Sequence, residues 1–224
     1  MEITDRKGLF IAFEGGEGAG KTTQARMLAQ NLRRLGREVL LTREPGGTEV
    51  GERLREIVLR PIKSDQDPGP LQPHLAASAE LLLFLAARAQ LVAEVISPAL
   101  ANNSIVVCDR FAASTIAYQG YGRGLDLNAV AKASELATSG LRPDLSILLD
   151  VPIDAGLSRK AEAEESDAIG RESRDFHDRV RRGFHHLAAA DPQRWLVIDA
   201  TQPIEAVART VFERVQSLLS RPAS

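Results

Sequence analysis

The run Gly15-Gly16-Glu17-Gly18-Ala19-Gly20-Lys21-Thr22 fits the pattern G-x-x-x-x-G-K-[ST] at every fixed position, with Thr23 following. These residue types in this order suit polyphosphate chemistry. Glycines let a backbone curl until successive N–H groups point inward, and a helix beginning at the lysine adds its positive end. Lys21 can then reach the β- and γ-phosphates of a nucleoside triphosphate, and the Thr22 hydroxyl can ligate Mg²⁺. A second acidic candidate is Asp109, which closes the apolar run Ile105–Cys108, the place where a Walker-B-type aspartate handles the metal. Arg110 follows it directly.

The flanks of the glycine run decide whether it is more than a turn. Leu9 to Phe13 reads as a buried strand, and Thr23 to Leu35 carries apolar residues at 25, 28, 29, 32 and 35, a helical period. Strand, glycine loop and helix form the context a phosphate-binding loop requires. Further strand-like runs occur at Val39–Leu41, Ile105–Cys108, Leu145–Leu149 and Trp195–Ile198, with helical patterns between them. This alternation predicts an α/β fold: one doubly wound domain over residues 1–224, with a five-stranded parallel sheet and helices on both faces. Ligands in such folds sit beyond the carboxyl ends of the strands. That rule singles out Glu14–Thr22, Thr42–Thr48, Asp109–Gly124 and the segment from Asp150 onward.

Each of those segments has its own texture. Pro45-Gly46-Gly47 forces a turn, with Thr48 placed to cap a helix running to Arg60. Arg43 and Glu44 then lie at the ligand-facing edge, either as functional groups or as a solvated ion pair beside the turn. Ser78 to Leu100 reads as one long helix, apolar on more than one face and so buried on several sides, part of it against a second subunit. Phe84 and Arg88 share a face of it; taken alone, Phe84 reads as core and Arg88 as surface. Phe111 to Gly122 mixes aromatics with uncharged hydrogen-bonding groups, suited to a neutral base and sugar. Cys108 reads as an inert core thiol, and Pro61 to Pro73 as a loop.

Composition narrows the function classes. The net charge is −2 over 224 residues, with no basic footprint for nucleic acid. A single cysteine excludes an internal disulfide and suits a reducing cytoplasm. No run is long enough to cross a bilayer, and the charged N-terminus has no secretory core, so the expectation is a cytoplasmic protein with no membrane partner. The four histidines show no metal-ligand spacing.

Glu14 to Thr23, Thr42-Arg43-Glu44-Pro45-Gly46-Gly47-Thr48, Asp109-Arg110 with Ser114 and Ala117-Tyr118-Gln119-Gly120, and Arg142-Pro143-Asp144-Leu145 together resemble the bacterial thymidylate kinase family. The resemblance runs from about Leu9 to Val207. It implies an ATP-dependent dTMP kinase that moves the γ-phosphoryl group to dTMP with Mg²⁺, giving dTDP and ADP, in a homodimer. By position it also implies that the loop from Gly15 to Thr23 holds ATP, and that Phe84 stacks on thymine while Arg88 hydrogen-bonds its edge. Thr115 and Gln119 would be further base contacts, and Tyr118 would lie against the deoxyribose. Glu17 would hold the 3′-hydroxyl, Arg43 and Arg110 would clamp the acceptor phosphate, and Ala200-Thr201-Gln202-Pro203 would lie beside adenine. Lys21 and Arg110 would be catalytic, with Thr22 and Asp109 at the metal.

The lid, about residues 159–172, departs from the family pattern. Ala161 and Ala163 stand where arginines are common, Ala168 and Gly170 replace an arginine and a glutamate, and the segment is net acidic. Arg159 is therefore the expected lid cation, with Arg171 and Arg174 as second choices. Two alternatives stay open: a kinase for another (deoxy)nucleoside monophosphate, and a nucleotide-binding regulator that has lost turnover through its lid.

Overall fold

A computed structural model describes residues 8–59, 75–162 and 169–220. The loop expected at 61–73, His74 and two alanines of the expected lid, Ala163 and Ala168, lie outside the described residues. Five parallel strands, β1 (Phe10–Glu14), β2 (Val39–Arg43), β3 (Ile105–Asp109), β4 (Leu145–Asp150) and β5 (Trp195–Asp199), form one sheet in the order β2-β3-β1-β4-β5. All five expected runs are strands, and each runs at least one residue beyond its apolar stretch. Each therefore ends on a charged residue: Glu14, Arg43, Asp109, Asp150 and Asp199. Ladder hydrogen bonding carries these groups to the carboxyl edge, where the strand order reverses around β1.

Alternation along β1 divides the core. Ile11 and Phe13 face α1 (Lys21–Arg34) and α9 (Ile204–Leu219), whose Leu28, Leu32, Val207 and Val211 complete that layer. Phe10 and Ala12 face the opposite layer, with Leu91, Ile96, Leu100 and Cys108. Cys108 is buried, and burial pushes its thiol well up, so it is inert as expected. The α1 period holds as far as Leu32; Leu35 lies past the helix end and is 54% exposed.

The long helix expected over Ser78–Leu100 is present but interrupted. It runs as α3 (Ala77–Leu91), one π turn (Val92–Ile96) and α4 (Ser97–Ala101). Pro98 has no N–H to give Glu94, and its ring crowds that carbonyl, so the ladder widens in the turn before it. A second π turn (Ile116–Gly122) follows the short α5 (Ala112–Thr115) and carries Tyr118 and Gln119. Thr48 caps α2 (Glu49–Leu59), accepting from Gly51 N at 2.9 Å. The remaining helices among the described residues are α6 (Leu127–Thr138), α7 (Ile153–Glu162) and α8 (Arg174–Ala190). At the edge away from the crevice, Asp144 accepts from Phe10 N at 2.7 Å, which gives the Arg142-Pro143-Asp144 segment a bracing role between β1 and β4.

Candidate active site

The loop between β1 and α1 takes the shape its glycines allow. Gly15, Gly18 and Gly20 have φ of 140°, 64° and 85°, and Gly20 leads directly into α1 at Lys21. Gly18 has a second constraint. A Cβ there would stand 1.9 Å from the Gly156 carbonyl oxygen of α7, and one on Gly156 would stand 2.3 Å from the Glu17 carbonyl oxygen. The loop and the start of α7 (Ile153–Glu162) are thus in backbone contact. Lys21 is buried and folds back to donate to Gly16 O at 2.6 Å. Burial and the nearby Arg110 guanidinium bring its ammonium down to about 8. The Thr22 hydroxyl donates to Asp109 Oδ2, so the two expected metal ligands sit side by side.

Arg110 is the hub. Its φ of 72° is left-handed for a non-glycine residue, a strain of about 1–3 kcal/mol. Two bonds hold that conformation: Arg110 N to Phe13 O at 2.9 Å, and Phe111 N to Glu14 Oε1 at 3.0 Å. From there the guanidinium donates to Gly15 O at 3.1 Å, Ser114 Oγ at 3.3 Å, Glu17 Oε1 at 2.7 Å and the Tyr118 hydroxyl at 3.1 Å. Glu17 also accepts from the Tyr118 hydroxyl at 2.7 Å and from Lys160 Nζ. Burial works to raise its carboxyl, but Arg110, Lys21 and Lys160 together hold it well below the usual carboxylate range. Glu14 beneath them goes the other way. Burial outweighs its hydrogen bonds to Ser114 and Phe111, and its carboxyl is pushed up to about 7.

A second group lies along α3. Arg88 is fully buried, correcting its expected place at the surface, because Glu44 meets it there. Its Nε and Nη2 donate to Glu44 Oε2 at 2.8 and 2.6 Å, and Nη2 donates also to Phe111 O at 3.2 Å. Its Nη1 is buried with no hydrogen-bond partner among the described residues, and so is Glu44 Oε1. Phe84, one turn earlier, is half-buried against the cluster that contains Tyr118, rather than in the core proper. Thr115 and Gln119 are buried, and Gln119 Nε2 donates to Glu80 Oε1 at 2.7 Å.

Two expected site residues lie apart from these groups. Arg43 is half-exposed and held by Glu52 at 3.0 Å. Arg159 donates to Ala200 O at 3.0 Å, on the segment expected beside adenine, while Lys160, one residue on, reaches Glu17. Of the second choices, Arg174 is exposed and pairs with Asp154 at 2.9 Å. Glu80 and Lys160 carry no role in the sequence reading, and Glu44, placed there at the ligand-facing edge, is buried on Arg88 rather than in a solvated ion pair. A signal existed for Glu80, which precedes Phe84 and Arg88 by four and eight positions on one helix face. No cluster of three or more metal-ligating side chains occurs among the described residues, histidines included.

A P-loop at the switch point of a doubly wound sheet, with a half-buried arginine and carboxylate hub beside it, defines a P-loop nucleotide-binding protein. Residues 13–211 match the family model described as thymidylate kinase. Curated relatives named thymidylate kinase include one from Thermomicrobium roseum, 48% identical, with 95% of this chain and 96% of that protein covered. Another, from Geobacter sulfurreducens, is 47% identical, with 92% and 95% covered. The solved thymidylate kinase structure from Ehrlichia chaffeensis superposes with a TM-score of 0.71 at 35% identity, covering 93% of this chain and 98% of that one. The chain belongs to the thymidylate kinase family.

Proposed function

We propose that this chain transfers the γ-phosphoryl group of ATP to dTMP, giving dTDP and ADP. The observation that carries the choice of acceptor is Arg88: a buried guanidinium nitrogen without a partner, one turn from the half-buried Phe84 ring. A buried donor left unsatisfied costs about 1–3 kcal/mol, and a thymine carbonyl beside a stacked ring would supply the acceptor. Thr115 and Gln119 complete the base contacts, and Tyr118 crowds a 2′-hydroxyl. Glu17, an acceptor-only carboxylate, receives the 3′-hydroxyl.

The acceptor phosphate has a second pKa near 6 and is mostly a dianion at neutral pH, so no general base is needed. The chemistry is positioning and charge neutralisation. The loop from Gly15 to Thr23, with Gly16, Gly18, Ala19 and Gly20 between, wraps the ATP phosphates through its N–H groups, and Lys21 follows the transferring group. Arg110 and Arg43 receive the acceptor phosphate, for which Arg43 must leave Glu52. Thr22 and Asp109 fit Mg²⁺: a hydroxyl and a carboxylate already in contact, the sparse hard-oxygen set this ion takes when phosphates and water fill its shell. Bound there, the ion would neutralise charge on the phosphates.

No helix among the described residues is long and apolar enough to cross a membrane. Exposed Val50 and Ile57 on α2 and Leu82 on the adjoining α3 support a homodimer, and the composition supports cytoplasmic action without nucleic acid.

ADP release measured across a panel of monophosphates tests the reading. dTMP should be fastest, with dUMP behind it by about 10–200-fold, the range for one methyl in a pocket. Faster turnover of AMP or CMP would sink it, and no dTDP at all would return the case to a regulator without turnover. Arg159 is the proposed lid cation, and Arg159→Ala should lower kcat at least about tenfold, or roughly 1.4 kcal/mol. Its bond to Ala200 O sets the contrast: a rise in the KM for ATP with kcat unchanged would assign it to the adenine side instead.

A further inference from the structure

Glu80 sits at the start of α3, buried, and its carboxylate is fully engaged. Arg123 grips it with Nε at 3.2 Å and Nη2 at 2.8 Å, and Gln119 Nε2 donates to it at 2.7 Å. Arg123 is itself held over the Phe176 ring, 4.8 Å from its centroid, and also donates to Glu172. A carboxylate gripped by a guanidinium fork is ionised, and both its oxygens only accept. An amide facing such a group has one choice. It must present its NH₂, and its carbonyl oxygen then faces the other way. That orientation follows from counting donors, whichever way an amide is drawn. Gln119 itself is only 1% exposed, so the side chains packed round it fix what its amide offers.

We infer that Glu80 is a specificity-determining positioning residue: by holding the Gln119 NH₂, it leaves the Gln119 carbonyl oxygen as the acceptor offered to the nucleobase. This rests on the reading of Gln119 as a base contact. Thymine and cytosine differ in polarity on that edge. Thymine carries a hydrogen on N3 and can donate it to the amide oxygen. Cytosine has a lone pair at N3, so two acceptors would face each other with water excluded. Arg88, a donor only, adds the complementary half, since it suits the O4 carbonyl of thymine and opposes the amino group of cytosine. Glu80, Phe84 and Arg88 recur every four residues, so one face of α3 carries the orienting group, the ring and the donor.

The test compares kcat/KM for dTMP with that for dCMP. In Glu80→Met the amide is free to turn over, and the preference for dTMP should contract at least about tenfold, chiefly through KM. The near-isosteric Glu80→Gln, which can donate or accept and so no longer dictates the amide, should contract it in the same direction and serves if the methionine variant does not fold. Arg123→Lys breaks the fork and the contact with the Phe176 ring but keeps a cation beside the carboxylate; it should lower the melting temperature and keep the preference. Gln119→Leu should contract the preference as strongly as Glu80→Met. An unchanged preference in the Glu80 variants beside a contraction in Gln119→Leu overturns the inference and leaves the base site standing. Equal contraction in Arg123→Lys also overturns it, because Glu80 would then only brace the network. No change in Gln119→Leu removes Gln119 from the base, and the pocket reading fails with it.

Discussion

Lys21→Ala should lower kcat at least about a thousandfold, the scale on which a positioned cation acts in phosphoryl transfer. The side chain is buried at the start of α1 and folded onto Gly16 O, and burial with Arg110 nearby lowers its ammonium to about 8. A triphosphate in the loop reverses both effects: it keeps the ammonium charged and draws it away from the carbonyl. The charge is thus best stabilised when the anion it must follow is present. Saturating steady-state assays of ADP release, with a thermal melt to confirm folding, measure the effect. A kcat within tenfold of the parent would remove Lys21 from the chemistry.

Arg110→Ala should cost at least about a hundredfold in kcat/KM for dTMP, roughly 2.7 kcal/mol, while the affinity for ATP stays close to the parent value. The guanidinium is held ready by Ser114, Tyr118 and Glu17, so little ordering remains to be done when a phosphate arrives. Backbone strain provides an internal control. At φ 72°, alanine is disfavoured by about 1–2 kcal/mol and glycine is not, so Arg110→Gly should be the more stable of the two variants yet equally inactive. Equal losses of ATP and dTMP affinity would mean instead that Arg110 braces the phosphate loop through Gly15 O and Glu17.

The fold was legible because a parallel sheet buried on both faces leaves continuous apolar runs in its strands, and all five runs lie where the strands do. Pro98 was in plain view, but the long apolar pattern hid the π turn in front of it. The phosphate loop was legible because its chemistry is local: only five residues lie between Gly15 and Lys21. The acceptor side was not, because its side chains take their meaning from partners far along the chain. Arg88 meets Glu44 across 44 positions, Gln119 meets Glu80 across 39, and Lys160 meets Glu17 across 143. Periodicity says which face of a helix an arginine occupies, not that a carboxylate waits inside for it. Arg43 shows the converse, since its side chain turns to Glu52, nine residues on, away from the hub.

The Gly18–Gly156 contact bears on how such a protein can diverge. At most tight contacts one side can grow while the other shrinks, so pairs of positions wander together through sequence space. Here both members are already the smallest residue, and the obstacle on each side is a main-chain carbonyl, at 1.9 Å for Gly18 and 2.3 Å for Gly156. No compensating exchange exists. The helix Ile153–Glu162 is thus tied to the phosphate loop at a point where neither backbone can take up a side chain, whatever residues follow it.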